Sequence, residues 1–127
     1  MSKLRHVAIT VNDLEESARF YQEVFGLERH SGNDVAISLS DGVVNLTLLK
    51  FRSDEQAGDE RGKDFVGLHH IGFVVEDIDG IGARIEQSGG AFHRAPTPEM
   101  AAETKYRDPN GVVFDVSNPG HAWAGIS

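Results

Sequence analysis

No cysteine occurs in the 127 residues. Disulfides, thiolate metal sites and a thiol nucleophile are therefore excluded, and cysteine gives no information about the redox compartment. No apolar run approaches the roughly 20 residues that a membrane-spanning helix needs. The opening residues, Met1-Ser2-Lys3-Leu4-Arg5, lead straight into a strand-like stretch without the apolar centre of a secretion signal, so a cytoplasmic location is the default expectation. Basic residues are scarce, 12 Lys and Arg against 20 Asp and Glu, for a net charge of −8. Phosphate backbones call for a basic face, so neither nucleic acid nor membrane is the expected partner, and a small molecule is. At 39% hydrophobic and 25% charged residues, the composition is that of a globular chain long enough to bury a core without crosslinks.

Next comes an internal repeat. Leu4–Leu14 (LRHVAITVNDL) aligns with Leu68–Ile78 (LHHIGFVVEDI) at an offset of 64, the step from His6 to His70. Leu4/Leu68, His6/His70, Val11/Val75 and Asp13/Asp77 are identical, and Val7/Ile71, Ile9/Phe73 and Leu14/Ile78 are conservative. Gly26 and Gly90 keep the offset, and Asp41-Gly42-Val43-Val44 echoes Asn110-Gly111-Val112-Val113.

Each copy reads β-α-β-β-β. Residues 4–11 alternate and are rich in Val and Ile, a strand pattern. Asn12 or Asp13 then caps a helix with acidic Glu15 and Glu16 in its first turn, an apolar stripe at Leu14, Ala18, Tyr21, Val24 and Phe25, and Gly26 at its end. Strands are expected near 28–31, 34–39 and 43–51, the last two joined at Asp41-Gly42. Residues 52–66 read as a polar surface linker. The second copy has a strand at 68–75 and a helix capped by Asp77. That helix carries Ile78, Ile81 and Ile85, is weakened by Gly80 and Gly82, and is closed by Gly89-Gly90. Strands near 91–94, 102–107 and 112–117 follow, with a loop at Pro96 and Pro98, a turn at Asp108-Pro109-Asn110-Gly111 and an irregular tail from 118.

Strand parity divides these side chains between two faces. Val7, Ile9 and Val11 face the helix layer, as do Ile71, Phe73 and Val75, and Val44, Leu46 and Leu48. The opposite face gathers His6, Asn45, Thr47, His70 and Asp115, whereas His69 falls on the helix side. Two imidazoles and a carboxylate form a set that binds a divalent metal and leaves coordination positions open.

The segments HVAITVNDLEESARFYQEVFGL, HHIGFVVEDI and YRDPNGVVFDVS span nearly the whole chain and resemble the vicinal oxygen chelate superfamily. That superfamily includes glyoxalase I, methylmalonyl-CoA epimerase, fosfomycin-resistance proteins, extradiol dioxygenases and bleomycin-binding proteins. The resemblance implies an α+β fold in which two tandem βαβββ modules form a cupped mixed sheet with the helices on its outer face. It implies a single domain over 1–127, with module one about 1–51, a linker about 52–66, module two about 67–118 and a tail 119–127. By the same resemblance His6, His70 and Asp115 hold one divalent metal (Zn, Ni, Mn, Fe or Co), Asp115 standing where glutamate is usual. Asn45 falls where some members place a fourth ligand. It offers a neutral oxygen and no base, which points away from glyoxalase I itself.

Asn45 and Thr47 are the expected substrate contacts, and Asp115 and Tyr106 the expected catalytic residues, with His93 a further candidate proton donor. Trp123 is expected to cap the cavity or pack on a partner. The implied activity is that of a glyoxalase-like isomerase, epimerase or lyase. Fe(II) ring-cleaving dioxygenation and metal-free ligand sequestration of the bleomycin-binding type are the alternatives. A homodimer is expected, each site built within one chain or from copies exchanged across the dimer.

Overall fold

The computed structural model describes residues 2–58, 60–94, 103–121 and 123–126. In chain order the elements are β1 (Lys3–Thr10), α1 (Leu14–Phe25), β2 (Glu28–Gly32), β3 (Ala36–Ser40), β4 (Asn45–Leu49) and α2 (Asp54–Ala57). Then come β5 (Gly67–Val74), α3 (Ile78–Gln87), β6 (Ala91–Arg94), β7 (Thr104–Arg107), β8 (Val113–Ser117) and a 3₁₀ turn at Pro119–His121. The fold is α+β, with eight strands in a mixed sheet and the β-α-β-β-β order repeated. The loop expected at Pro96 and Pro98 lies outside the described residues.

The chain divides into two compact units. The first consists of residues 6–69 and 123–126, the second of residues 2–5 and 70–121.

In the first unit the strand order is β2-β3-β4-β1. β1 and β4 are parallel, with His6 opposite Asn45 and Ala8 opposite Thr47. α1 starts where Asp13 accepts a hydrogen bond from Glu16 N at 2.9 Å, a cap of the kind that contributes about 1 kcal/mol. It ends at Gly26, whose φ of 70° lies in the left-handed region that favours glycine. The helix buries Ala18 against Val11, Ile37, Leu39 and Leu48, with Ile9, Leu14, Tyr21, Leu27 and Leu46 packed around them. Ile9, Val11, Leu46 and Leu48 are among the residues that parity assigned to the helix side, and β3 adds Ile37 and Leu39. Opposite this set, His6, Ala8, Thr10, Ser40 and Asn45 are also buried, while Ser38 and Thr47 on the same face are half-buried.

The segment 52–66 is more ordered than a bare linker. Ser53 Oγ accepts from Gln56 N at 3.1 Å while Gln56 Oε1 accepts from Arg52 N at 2.7 Å, a reciprocal arrangement that starts α2. Ala57 at its end is buried.

In the second unit the order is β5-β8-β7-β6. β5 and β8 are parallel, with Gly72 opposite Asp115. β7 and β8 are antiparallel, with Lys105 opposite Asp115 and Tyr106 opposite Phe114. The turn between them closes through Gly111 N to Asp108 O, and Asp108 Oδ1 accepts from Asn110 N and Val112 N. α3 is capped by Asp77, but none of its residues is fully buried. No helix among the described residues is long and apolar enough to cross a membrane.

Candidate metal centre

The sequence set is divided between the units, His6 in the first and His70 and Asp115 in the second. In the second unit β8 places Asp115 at the middle of the strand with no exposed surface. Its Oδ1 accepts from Lys105 Nζ at 2.5 Å, and its Oδ2 lies 3.1 Å from His70 Nε2. That approach is off the hydrogen-bond axis, and Oδ2 accepts no hydrogen bond among the described residues. A buried carboxylate oxygen ordinarily takes one. An imidazole nitrogen and an unsatisfied carboxylate oxygen facing each other are the donor atoms a divalent cation takes. Burial alone would push the Asp115 carboxyl up. The His70 imidazole and then the Lys105 ammonium more than offset this, holding it well below the usual carboxylate range, so the group is an anion able to ligate.

In the first unit His6 Nδ1 lies 2.7 Å from Asn45 Oδ1. Thr47 Oγ1 donates to the same oxygen at 2.7 Å, and Asn45 Nδ2 donates to the Ala124 carbonyl at 2.8 Å. Trp123 stacks on His6, ring centroids 4.4 Å apart and planes 2° apart. The tail beyond 118, expected to be irregular, is thus anchored on this histidine.

Sheet register replaces the sequence motif as the guide to equivalence. Ala8 and Gly72 are repeat mates, and the residues opposite them are Thr47 and Asp115. Thr47 therefore occupies the place in the first copy that Asp115 holds in the second. Asn45 stands opposite His6, with its amide oxygen facing His6 Nδ1 and Thr47 Oγ1 and its amide nitrogen facing the Ala124 carbonyl. The motif Asp41-Gly42/Asn110-Gly111 misleads by one residue because the turns differ in length.

Tyr106 shares its face with Phe114, stacking at 6.1 Å, and a Cβ on Gly82 of α3 would meet its hydroxyl at 2.9 Å. It therefore points to the helix side, opposite Asp115 and Lys105. His69 is buried beside Phe51, ring centroids 5.3 Å apart. Lys105 was not singled out from the sequence, although the Asp108–Gly111 turn fixes the β7/β8 register and pairs it with Asp115.

The family model of the Glyoxalase/Bleomycin resistance protein/Dioxygenase superfamily matches residues 3–116. An ethylmalonyl-CoA/methylmalonyl-CoA epimerase of Cereibacter sphaeroides is 28% identical over 83% of this chain and 84% of its own. A probable lactoylglutathione lyase of Vibrio cholerae is 25% identical over 98% of this chain and 96% of its own. Among solved structures, the Mn(II)-bound glyoxalase from Novosphingobium aromaticivorans superposes with a TM-score of 0.68 at 22% identity, covering 93% of this chain and 40% of that one.

Proposed function

We propose that this chain, which belongs to the glyoxalase/bleomycin resistance protein/dioxygenase superfamily, is a divalent-metal-dependent enzyme that moves a proton on a small substrate held through two neighbouring oxygens. The observation that carries the proposal is the buried Asp115 Oδ2, facing His70 Nε2 at 3.1 Å without accepting a hydrogen bond. His6, His70 and Asp115 are assigned as the ligands. The repeat makes His6 the counterpart of His70, and two imidazoles with one carboxylate are the donor chemistry of a metal site with open positions.

Bound there, such an ion supplies Lewis-acid polarisation of the substrate oxygens. The chain's own residues supply the rest. Lys105 holds Asp115 ionised and in place through Oδ1, and Asn45 holds the His6 ring. The relatives named as an epimerase and a lyase favour proton transfer over oxygen chemistry. Tyr106 is left out of the site by the face it occupies. The reading includes a homodimer, for which the exposed Phe20, Val24 and Phe25 on α1 offer an apolar surface.

Untreated protein should carry about one divalent metal per site by elemental analysis, and His6→Ala, His70→Ala and Asp115→Ala should each lose it. Retention of the metal in all three variants, or none bound after incubation with Zn²⁺, Mn²⁺, Ni²⁺ or Fe²⁺, overturns the assignment. Oxygen uptake with catechols in the presence of Fe²⁺ would shift the reading to a dioxygenase, and undiminished ligand binding by metal-free protein to a sequestering protein. Sedimentation velocity on the same preparation checks the dimer, and a monomer throughout the micromolar range removes that part.

A further inference from the structure

Asn45 has no exposed surface, and its hydrogen bonds form a chain whose direction is fixed from one end. The Ala124 carbonyl can only accept, so the amide nitrogen must face it, at 2.8 Å. The amide oxygen then faces Thr47 Oγ1 and His6 Nδ1, each at 2.7 Å. An amide oxygen also can only accept. The proton between Asn45 and His6 therefore sits on Nδ1, and the neutral imidazole carries its lone pair on Nε2. In water a histidine side chain prefers the opposite tautomer, with the proton on Nε2. Trp123, next to Ala124 in sequence, lies flat on the same ring. The segment is held a second time, by Ser40 Oγ donating to the Gly125 carbonyl at 2.9 Å. At Gly125 itself φ is +84°, and a Cβ would come within 2.5 Å of both His30 and Ser40, so the anchor is built around glycine.

We propose that the C-terminal segment Trp123–Gly125 is a positioning element for His6. The Ala124 carbonyl selects the His6 tautomer through the Asn45 amide, and Trp123 fixes the plane of the ring. The inference rests on the reading of His6 as a metal ligand, for which the lone pair on Nε2 is what the tautomer provides. Partners that orient a ligating histidine in this way change metal affinity by about 10–100-fold when removed.

The test begins with metal-free, full-length protein labelled with ¹⁵N-histidine, in which long-range ¹H–¹⁵N correlations report where each imidazole proton resides. His6 is expected to carry it on Nδ1, and a proton on Nε2 overturns the proposal without any variant. Asn45→Leu, which removes the acceptor, should move the proton to Nε2 and weaken Zn²⁺ binding, measured against a chromophoric chelator, by about 10–100-fold. Asn45→Asp restores an acceptor and should return the proton to Nδ1, a rescue that a merely structural role for Asn45 does not predict. Trp123→Ala should leave the tautomer unchanged and weaken Zn²⁺ binding by a smaller factor. Unchanged Zn²⁺ affinity in both Asn45→Leu and Trp123→Ala overturns the proposal. If His6 has the expected tautomer but His6→Ala binds Zn²⁺ as the parent does, the ligand assignment fails and the control of the ring by the segment stands.

Discussion

A carboxylate with no contact to water needs its charge answered inside the protein, and Asp115 has Lys105 Nζ at 2.5 Å, itself almost fully buried. Breaking such a pair on one side leaves a buried charge without its counterpart, at a cost of roughly 3–5 kcal/mol. Asp115→Asn should therefore lower the unfolding free energy of metal-free protein by about that amount, read from urea unfolding. The pH dependence follows from the direction of the shift. The folded-state pKa of Asp115 is depressed below its unfolded value. Its contribution is therefore fully present above the ordinary carboxyl range near 3.9 and is lost as pH falls through the folded value. Metal-free parent protein should lose urea stability below that range by a component that Asp115→Asn lacks, and identical acid profiles for the two would refute the pairing. The residues that make up this environment were unequally legible in the sequence. Asp115 announced itself through the turn before it and its parity. Lys105 is an ordinary surface residue type that acquires its role only across the β7/β8 register. Thr47 gave no sign of standing where Asp115 stands in the other copy, because the Asp41-Gly42/Asn110-Gly111 motif aligns Asp115 with Leu46, and a one-residue slip exchanges the two faces of a strand.

Among the elements, α1 was readable in its cap, its terminating glycine and the Leu14, Ala18 and Tyr21 part of its stripe, since these are local signals, whereas Val24 and Phe25 of the expected stripe are exposed. α2 was not, because four residues in a polar stretch show no periodicity. Its one local sign was the Ser53/Gln56 pair, which the charged residues around it obscured. The glycines paired by the repeat, Gly26 at the C-cap of α1 and Gly90 between the Ser88 cap of α3 and β6, are required for different physical reasons. Gly26 has φ +70° with nothing near its missing Cβ, so its requirement is conformational. At Gly90 the requirement is space: a Cβ would lie 2.5 Å from the Ile85 side chain and 2.7 Å from the Arg107 carbonyl. Gly26→Ala is expected to cost about 1–2 kcal/mol, the penalty of a left-handed residue with a Cβ. Gly90→Ala forces backbone apart and should cost at least as much, about 1–3 kcal/mol. The distinction lies in the kind of damage. Gly90→Ala should shift the amide resonances of Arg107 and its β7 neighbours, whereas Gly26→Ala should disturb only the end of α1. Confined changes in both variants would show that the space at Gly90 is not limiting.

Across the whole molecule the sequence repeat and the compact units group residues differently. The repeat sets 4–14 against 68–78. The units take residues 2–5 together with 70–121, and residues 123–126 together with 6–69. The division falls inside β1 between Arg5 and His6 and inside β5 between His69 and His70. Contacts within each unit give it substance. Ser2 lines an apolar cavity of about 170 Å³ with Phe73, Ile81, Ile85 and Phe114. In the other unit Thr10 Oγ1 donates to the Gly67 carbonyl at 3.3 Å, and the 123–125 segment holds His6 and Ser40. Each copy of the repeat thus depends on a segment that its own stretch of sequence does not supply. Such pairings between residues more than fifty positions apart leave no local pattern to read. Deleting residues 2–5 should therefore damage the half of the chain that follows the linker. α3 has little to spare, since none of its residues is fully buried. Hydrogen exchange should show amides of α3, β7 and β8 losing protection by about tenfold or more, the equivalent of about 1.4 kcal/mol in local opening, while Ile37, Leu39 and Leu48 in the α1 core keep theirs. Loss confined to α1, β3 and β4, or spread evenly over both units, would mean that the N-terminal residues serve the copy they belong to in sequence.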